Sequence, residues 1–529
     1  MWRWQDLETP QQIYTSSIAR NTLYNFLFRG SGLFFGFITS IVIARLLGPE
    51  KLGEYSLSFW ILTVVGYFVN LGLPTTVTKY ISEYSGKKDY ISAGTILRNC
   101  SRWIFWTGIF VTLLLFLTSP IIAGLYHKPY LSLYLRIGAL GMIPMGLLAI
   151  YMASFSGFLR YDLIAFLTFL LSPLTFLLII LALVLKREVE YLFWVSFISN
   201  LLGAFLYYEF YHSKKYPYVK KGLPSELKSK LINYSQSIFV ILLLEAFLWE
   251  RFELLFLGAY SNETQVAFYN LGFNLANKVI LLLPGALAGV LLPIMSEAYG
   301  GGEEERLKSI HYNSTRYLAL IAFPLCAGGI ALAPRIITSI YGSQYLPSAF
   351  IFGIVLLAGT VGSVSTASSS FLYSVERQKV ILRFYILAVF LKLVLNLFLT
   401  RKYQALGAVW VNFSAQVLFG VGVIVYVYAF FLKRRFPWAP IFKIGLTSFI
   451  MGFVVYLLSS FLLGVAGLII CILLGILLYL VILASTRTLE KLDFDLTSRY
   501  IQKLPFGLDR IFRSLVGVLR RISLGEDTR

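Results

Sequence analysis

Residues 163–185 read LIAFLTFLLSPLTFLLIILALVL, an unbroken apolar run without a single charge. As an α-helix at 1.5 Å per residue it would be about 35 Å long, enough to cross a hydrocarbon core of about 30 Å. Backbone N–H and C=O groups find no water at that depth, so the run must satisfy them internally as a helix. Similar runs flank it on both sides, at about 23–47, 54–72, 100–120, 132–157, 190–211, 232–258, 265–293, 312–333, 347–373, 380–399, 407–431, 441–463 and 465–485. The alternating ten-residue segments of a membrane β-barrel are absent. Across 529 residues, 58% are hydrophobic and 14% charged, against about 25% charged in soluble domains. The pattern predicts an all-α integral membrane protein of about fourteen transmembrane helices.

Lys and Arg outnumber Asp and Glu by 46 to 26, a net charge of +20. In a soluble chain that excess would suggest nucleic acid; here it sorts by loop, so no nucleic-acid partner is expected. One set of loops holds Lys79, Lys87, Lys88, Arg160, Lys214, Lys215, Lys220, Lys221, Lys228, Lys230, Arg306, Lys308, Arg377, Lys379, Lys433, Arg434 and Arg435. The opposite set holds Lys51, Lys128, Lys186, Arg187, Arg335, Arg401 and Lys402. The positive-inside rule makes the first set cytoplasmic and predicts a plasma-membrane protein with both termini inside, its basic loops touching anionic lipid headgroups. Met1 to Arg20 lacks a signal-peptide pattern. Cys100, Cys326 and Cys471 are too few for a disulfide framework, and His127, His212 and His311 are too scattered for a metal centre. After Thr486, Leu508, Ile511, Phe512, Leu515, Leu519 and Ile522 recur at helical spacing among Arg510, Arg513, Arg520 and Arg521, which reads as an amphipathic helix on the inner leaflet or a disordered basic tail.

An internal repeat is visible at an offset of about 214 residues. Leu47-Gly48 answers Leu257-Gly258, Tyr55 answers Tyr269, and Ile81-Ser82-Glu83 answers Met295-Ser296-Glu297. Pro120, Ile122, Tyr126 and Tyr130 answer Pro334, Ile336, Tyr341 and Tyr345. Six spans per unit make two lobes inserted the same way, related by an axis along the membrane normal with a cavity between them. The expected organisation is an N-terminal lobe over 1–211, a basic linker over 212–230, a C-terminal lobe over 231–432, two extra helices over 433–485 and a basic tail over 486–529.

Several stretches resemble a known family. Asn21 to Gly30, Ala44-Arg45-Leu46-Leu47-Gly48-Pro49-Glu50, Gly53-Glu54-Tyr55, Gly72-Leu73-Pro74 and Ile336 to Tyr345 are similar to the prokaryotic polysaccharide (O-antigen type) flippases. These belong to the multidrug, oligosaccharidyl-lipid and polysaccharide exporter superfamily, and the resemblance runs from about Ile18 to Lys433. It implies a two-lobed bundle that moves polyprenyl phosphate- or diphosphate-linked oligosaccharides by alternating access, with cations in a central cavity. Other glycan-assembly membrane proteins would be natural partners.

Charged residues at membrane depth are costly and are site candidates by default. Asn25 and Arg29 share one face of the first span; Arg29 either looks into the bundle or snorkels to the interface. The eighth span carries Asn270, Asn274, Asn277 and Lys278 on one stripe; Lys278 is either satisfied by neighbours or faces a watery cavity. In the seventh span Glu245, Trp249 and Glu253 lie at helical spacing on one face, with Glu250 and Arg251 turned away. Glu245 and Glu253 are candidates for coupling to Na⁺ or H⁺, or simply neutralise a buried cation. Lys392 with Asn396, and Asn412 with Gln416, sit one turn apart and serve equally well as interhelical glue or ligand contacts. Arg29, Arg251, Lys278 and Lys392 together would suit a diphosphate, which charge-assisted hydrogen bonds can hold. The small hydroxyl residues from Ser363 to Ser370 read as tight packing.

Two other functions compete. A drug extruder of the same superfamily would want an acidic residue in the first span, and this span has none. A membrane glycosyltransferase would need outer-face carboxylates; Glu50, Glu54, Glu188, Glu190 and Glu263 are available, but the outer loops are short. No phosphate-cradling glycine loop of the P-loop type occurs, and no catalytic residue or resident cofactor is expected beyond the coupling ion.

Overall fold

A computed structural model of the chain describes residues 10–213, 222–282, 284–432, 436–462, 464–489, 493–494, 516–517, 520 and 523, with side chains from Gly30 onward except at 33, 282 and 286–289. Every regular element among them is helical. The helices are α1 (Pro10–Asn70), α2 (Leu73–Gly86), α3 (Tyr90–Tyr126), α4 (Tyr130–Leu140), α5 (Met142–Gly157), α6 (Tyr161–Leu185), α7 (Glu190–Ser213), α8 (Ser225–Trp249), α9 (Glu253–Tyr260) and α10 (Glu263–Leu282). They continue with α11 (Pro284–Gly300), α12 (Glu304–Tyr341), α13 (Ser348–Ser374), α14 (Gln378–Leu395), α15 (Arg401–Tyr426), α16 (Trp438–Phe461) and α17 (Gly464–Ser485). The expected amphipathic tail helix lies outside the described residues, Val516, Gly517 and Arg520 apart.

Ten of these helical stretches are long and apolar enough to cross a membrane, or eleven if the bent pair α4–α5 counts as one span. The difference from the expected fourteen has a geometric cause. Gly30–Asn70 carries expected spans one and two without a loop, broken only at Gly48 (φ 77°, ψ 175°), where glycine tolerates the left-handed region and Pro49 follows. Gln378–Leu432 likewise carries spans eleven and twelve, broken at Gln404. The expected eighth span falls on α10 and α11, on either side of residue 283.

Contacts divide the chain into two compact units, Met1–Ala267 and Phe268–Arg529. The second sequence repeat and the second compact unit therefore begin at different places. Helix α8, which opens the repeat, packs in the first unit: Ser235 Oγ donates to the Leu71 carbonyl, and Phe68 meets Phe239. The first unit is held by close helix approaches, Gly138 against Leu62 and Gly157 against Ile81, and by an aromatic cluster of Tyr55, Tyr134 and Phe193.

In the second unit α13 is buried along most of its length. Its hydroxyls bond back to its own helix, Thr360 to the Leu356 carbonyl and Ser363 to that of Gly359. That freed face lets Gly420 of α15 approach Val361 and Ser365, so the small-residue stretch is packing. The repeat is also legible inside each unit. Gly66 meets Met145 in the first, and Ile280 meets Gly359, each 214 residues later, in the second.

Candidate functional site

In the first unit a helix that is itself long and apolar enough to cross a membrane ends in a break. Helix α8 stops at Trp249, and Glu250 is extended (φ −92°, ψ −178°), its N–H still donating to the Ala246 carbonyl at 3.1 Å. The chain re-enters a helix only at Glu253, the first residue of α9. Two adjacent charged residues, Glu250 and Arg251, thus occupy a non-helical gap at the end of α8, with Glu245 before it and Glu253 after it. Non-helical backbone at membrane depth persists only where protein or a watery cavity surrounds it.

Protein surrounds this gap on one side. Glu250 lines a small cavity of about 10 Å³ with Trp60, Thr63 and Tyr67 of α1, close to the space one water needs. Phe252 packs edge-on against Trp60, Phe247 and Phe256. The break also corrects one sequence expectation. Glu245 and Glu253 are on different helices, so they do not share a face: Glu245 is exposed, whereas Glu253 is fully buried. Periodicity arguments assume an unbroken helix, and Glu250, which they turned away, is the carboxylate on the cavity.

At one end of the first unit the sparsely charged loops meet. Lys128 Nζ donates to Glu263 Oε1 at 2.6 Å and to the Ser261 carbonyl at 3.3 Å, and Tyr130 donates to the same carboxylate oxygen at 3.0 Å. Tyr134 donates to Glu54 Oε2 at 2.9 Å, and Lys51 pairs with Glu188 at 3.0 Å. Burial alone would raise the Glu263 carboxyl, but Lys128, the helix N–H and the Tyr130 hydroxyl outweigh it and hold the pKa below the usual range. Among the basic loops, Lys79 Nζ lies 3.9 Å from the centre of the Tyr234 ring on α8.

The other expected residues fall in the second unit. Asn274 donates to Asn270 Oδ1 at 3.0 Å along α10, with Asn277 and Lys278 half-buried below them. Lys392 and Asn396 are fully buried; Asn396 donates to the Lys392 carbonyl and accepts from Thr400. Residues 378–400, α14 and the helical turn that follows it, run antiparallel to α15, since Leu399 meets Gly407 and Phe384 meets Gly422. That register places Lys392 at the level of Asn412 and Gln416, both buried on α15. The side chains of Asn25 and Arg29 are outside the described residues.

Sequence reasoning passed over Arg316, a fully buried arginine of α12. It pairs with Asp493, which also accepts from Tyr317 at 3.0 Å. The available signal was its place inside the ninth expected span.

Residues 42–350, more than half of the chain, match the family described as "Polysaccharide biosynthesis protein". The chain belongs to that family. Among curated relatives it is 22% identical to the teichuronic acid biosynthesis protein TuaB of Bacillus subtilis over 52% of this chain, spanning 56% of TuaB's length. It is 23% identical to the probable low-salt glycan biosynthesis flippase Agl15 of Haloferax volcanii, covering 83% of this chain and 89% of Agl15. Its fold is also found in solved structures. The inward closed structure of the lipid II flippase MurJ superposes with a TM-score of 0.68 at 17% identity, covering 88% of this chain and 98% of MurJ. An inward-facing multidrug transporter superposes with a TM-score of 0.62 at 14% identity, covering 75% and 93%. For this polysaccharide biosynthesis protein those likenesses establish the fold, an all-helical bundle shared with both structures.

Proposed function

We propose that the chain is a flippase, carrying a polyprenyl phosphate- or diphosphate-linked oligosaccharide across the plasma membrane by alternating access for cell-surface glycan synthesis. The observation that carries this reading is the break between α8 and α9, which leaves Glu250 and Arg251 in a non-helical gap directly after a membrane-length helix. Discontinuous helices are how transporters present charge and open backbone groups to a cargo at mid-membrane. The glycan-flippase names among the relatives support the cargo class.

In this scheme Arg251 and Lys278, with Arg29, hold the phosphate oxygens through charge-assisted hydrogen bonds. Lys392, enclosed in this conformation, would reach cargo only in another state of the cycle. The asparagines of α10 and Asn396 would meet the sugars. Glu245, Glu250 and Glu253 are the proposed carriers of a coupling proton or Na⁺, and both termini face the cytoplasm. No bond is made or broken in such a cycle.

The test is a flipping assay in vesicles loaded with defined lipid-linked sugars. Arg251→Ala and Lys278→Ala should each slow flipping by roughly tenfold or more while leaving folded protein. Unchanged flipping by both variants removes them from the site. Efflux of a cationic dye without any lipid-linked sugar transport would instead make the chain a drug pump.

A further inference from the structure

A groove of about 570 Å³ lies along α3, α5 and α7 of the first unit, on a face where large apolar side chains are exposed. Its lining changes along the helix axes. Gly108 and Ile104 of α3 face Ile143 and Gly146 of α5, so those helices run antiparallel. Gly141, just before α5, and Leu148 of α5 face Phe197 and Gly203 of α7, so that pair runs parallel.

The register puts Ser101 and Arg102, Tyr151, and Tyr208 at one level, at one end of the groove. Tyr151 and Tyr208 meet edge-on there, 5.7 Å apart. The walls beyond are Phe105, Trp106, Ile143, Leu147 and Leu201, over an apolar length of about 12 Å at 1.5 Å per residue. Arg102 is exposed and makes no hydrogen bond or ion pair with any described residue. The positive-inside sorting of the loops puts this end of α3 toward the cytoplasm.

One cation and three hydroxyls at interfacial depth, with an apolar slot leading toward the bilayer centre, are complementary to one kind of molecule. Water-soluble anions have no use for the slot, and a purely apolar ligand has no use for the guanidinium. We propose that the groove is a binding site for an anionic phospholipid of the inner leaflet. Its phosphate rests on Arg102, its headgroup hydroxyls meet Ser101 and Tyr208, and one acyl chain lies along Ile143 and Leu147. Arginine suits this role because its planar fork matches phosphate oxygens and because a basic side chain at the membrane surface favours anionic lipid. The site is separate from the α8–α9 break and does not depend on the transport reading.

Trp106 in the groove wall supplies the test. The full chain is placed in nanodiscs containing either chain-brominated phosphatidylglycerol or chain-brominated phosphatidylcholine, and the Trp106 signal is taken as wild type minus Trp106→Phe. Bromine quenches an indole it touches. The anionic lipid should reach half-quenching at about fivefold lower mole fraction than the zwitterionic one. Arg102→Ala should erase that preference, and Arg102→Lys should keep it, since a point charge remains. Equal quenching by the two lipids in wild type, or a preference that survives Arg102→Ala, overturns the proposal.

Discussion

Lys128 and Glu263 form an ion pair of 2.6 Å whose side chains are only 9% and 20% exposed. It ties the turn between α3 and α4 to the first residue of α10. Gly53 of α1 lies directly against the same segment, where a Cβ would overlap the Glu263 backbone. Three parts of the first unit therefore converge on one carboxylate, and any motion that separates them must break a charge pair largely shielded from water.

Lys128→Ala should lower the melting point of the detergent-solubilised protein, at a cost of about 2 kcal/mol for a charge-assisted bond lost at a shielded carboxylate. The pH dependence has a definite sign. Because folding depresses the Glu263 pKa below the ordinary 4.5, its stabilisation is fully present above that value and fades as pH falls through the lower folded value. The melting point of wild type relative to Glu263→Gln should be constant from pH 8 to 6 and should narrow only below about pH 4.5. Narrowing near neutral pH would show that Glu263 is not held in the charged form.

Gly72→Ala should be more damaging than an exposed helix substitution. Gly72 has φ +74°, and an added Cβ would stand 2.6 Å from the Ser235 carbonyl oxygen and 3.0 Å from the Phe239 nitrogen. Both neighbours are backbone of α8 and cannot rotate away. The expected loss is about 1–3 kcal/mol from overpacking, together with left-handed strain. Flipping should fall as well, since α8 leads into the break at Glu250. A variant with wild-type melting point and rate would show that α2 and α8 do not pack this closely in the membrane.

What the sequence made legible follows from how each feature is encoded. The run 163–185 and helix α6 coincide almost residue for residue, because burial in lipid is written into every side chain of the span. The helix breaks are written in single residues. Gly48-Pro49 is a recognisable signal, but Glu250 owes its extended backbone to surroundings that no local pattern records. Sequence similarity between halves likewise marks where a repeat begins without saying which neighbour its first helix packs on, so the place of α8 was invisible. Arg316 was missed because a lone arginine near a span end reads as a snorkelling side chain until its partner, Asp493, is brought to it from far along the chain.

Asp493→Asn should therefore be among the costliest changes outside the spans. Arg316 is fully buried, and removing the opposing charge leaves a desolvated guanidinium, a loss of about 3–5 kcal/mol. Replacing both partners, as Arg316→Met with Asp493→Leu, should recover most of the melting point because no charge remains to be compensated. A double variant as unstable as Asp493→Asn would mean that Tyr317 and the neighbouring chain, not the charge, hold the segment in place.

Asn412 presents the opposite case. It is fully buried on α15, and neither its amide oxygen nor its amide nitrogen has a hydrogen-bond partner among the described residues. An unsatisfied buried polar group costs about 1–3 kcal/mol, and the isosteric Asn412→Leu removes that cost without opening a void. The variant should melt higher than wild type. The register that sets Asn412 level with Lys392 and Gln416 gives a reason for keeping so costly a group: its amide is available to a water, an ion or a cargo group that reaches the Lys392 level during the cycle. Asn412→Leu should then flip lipid-linked sugar more slowly than wild type despite its greater stability. Greater stability with an unchanged rate would make Asn412 a packing residue, and a lower melting point would mean that its amide is bonded in the membrane.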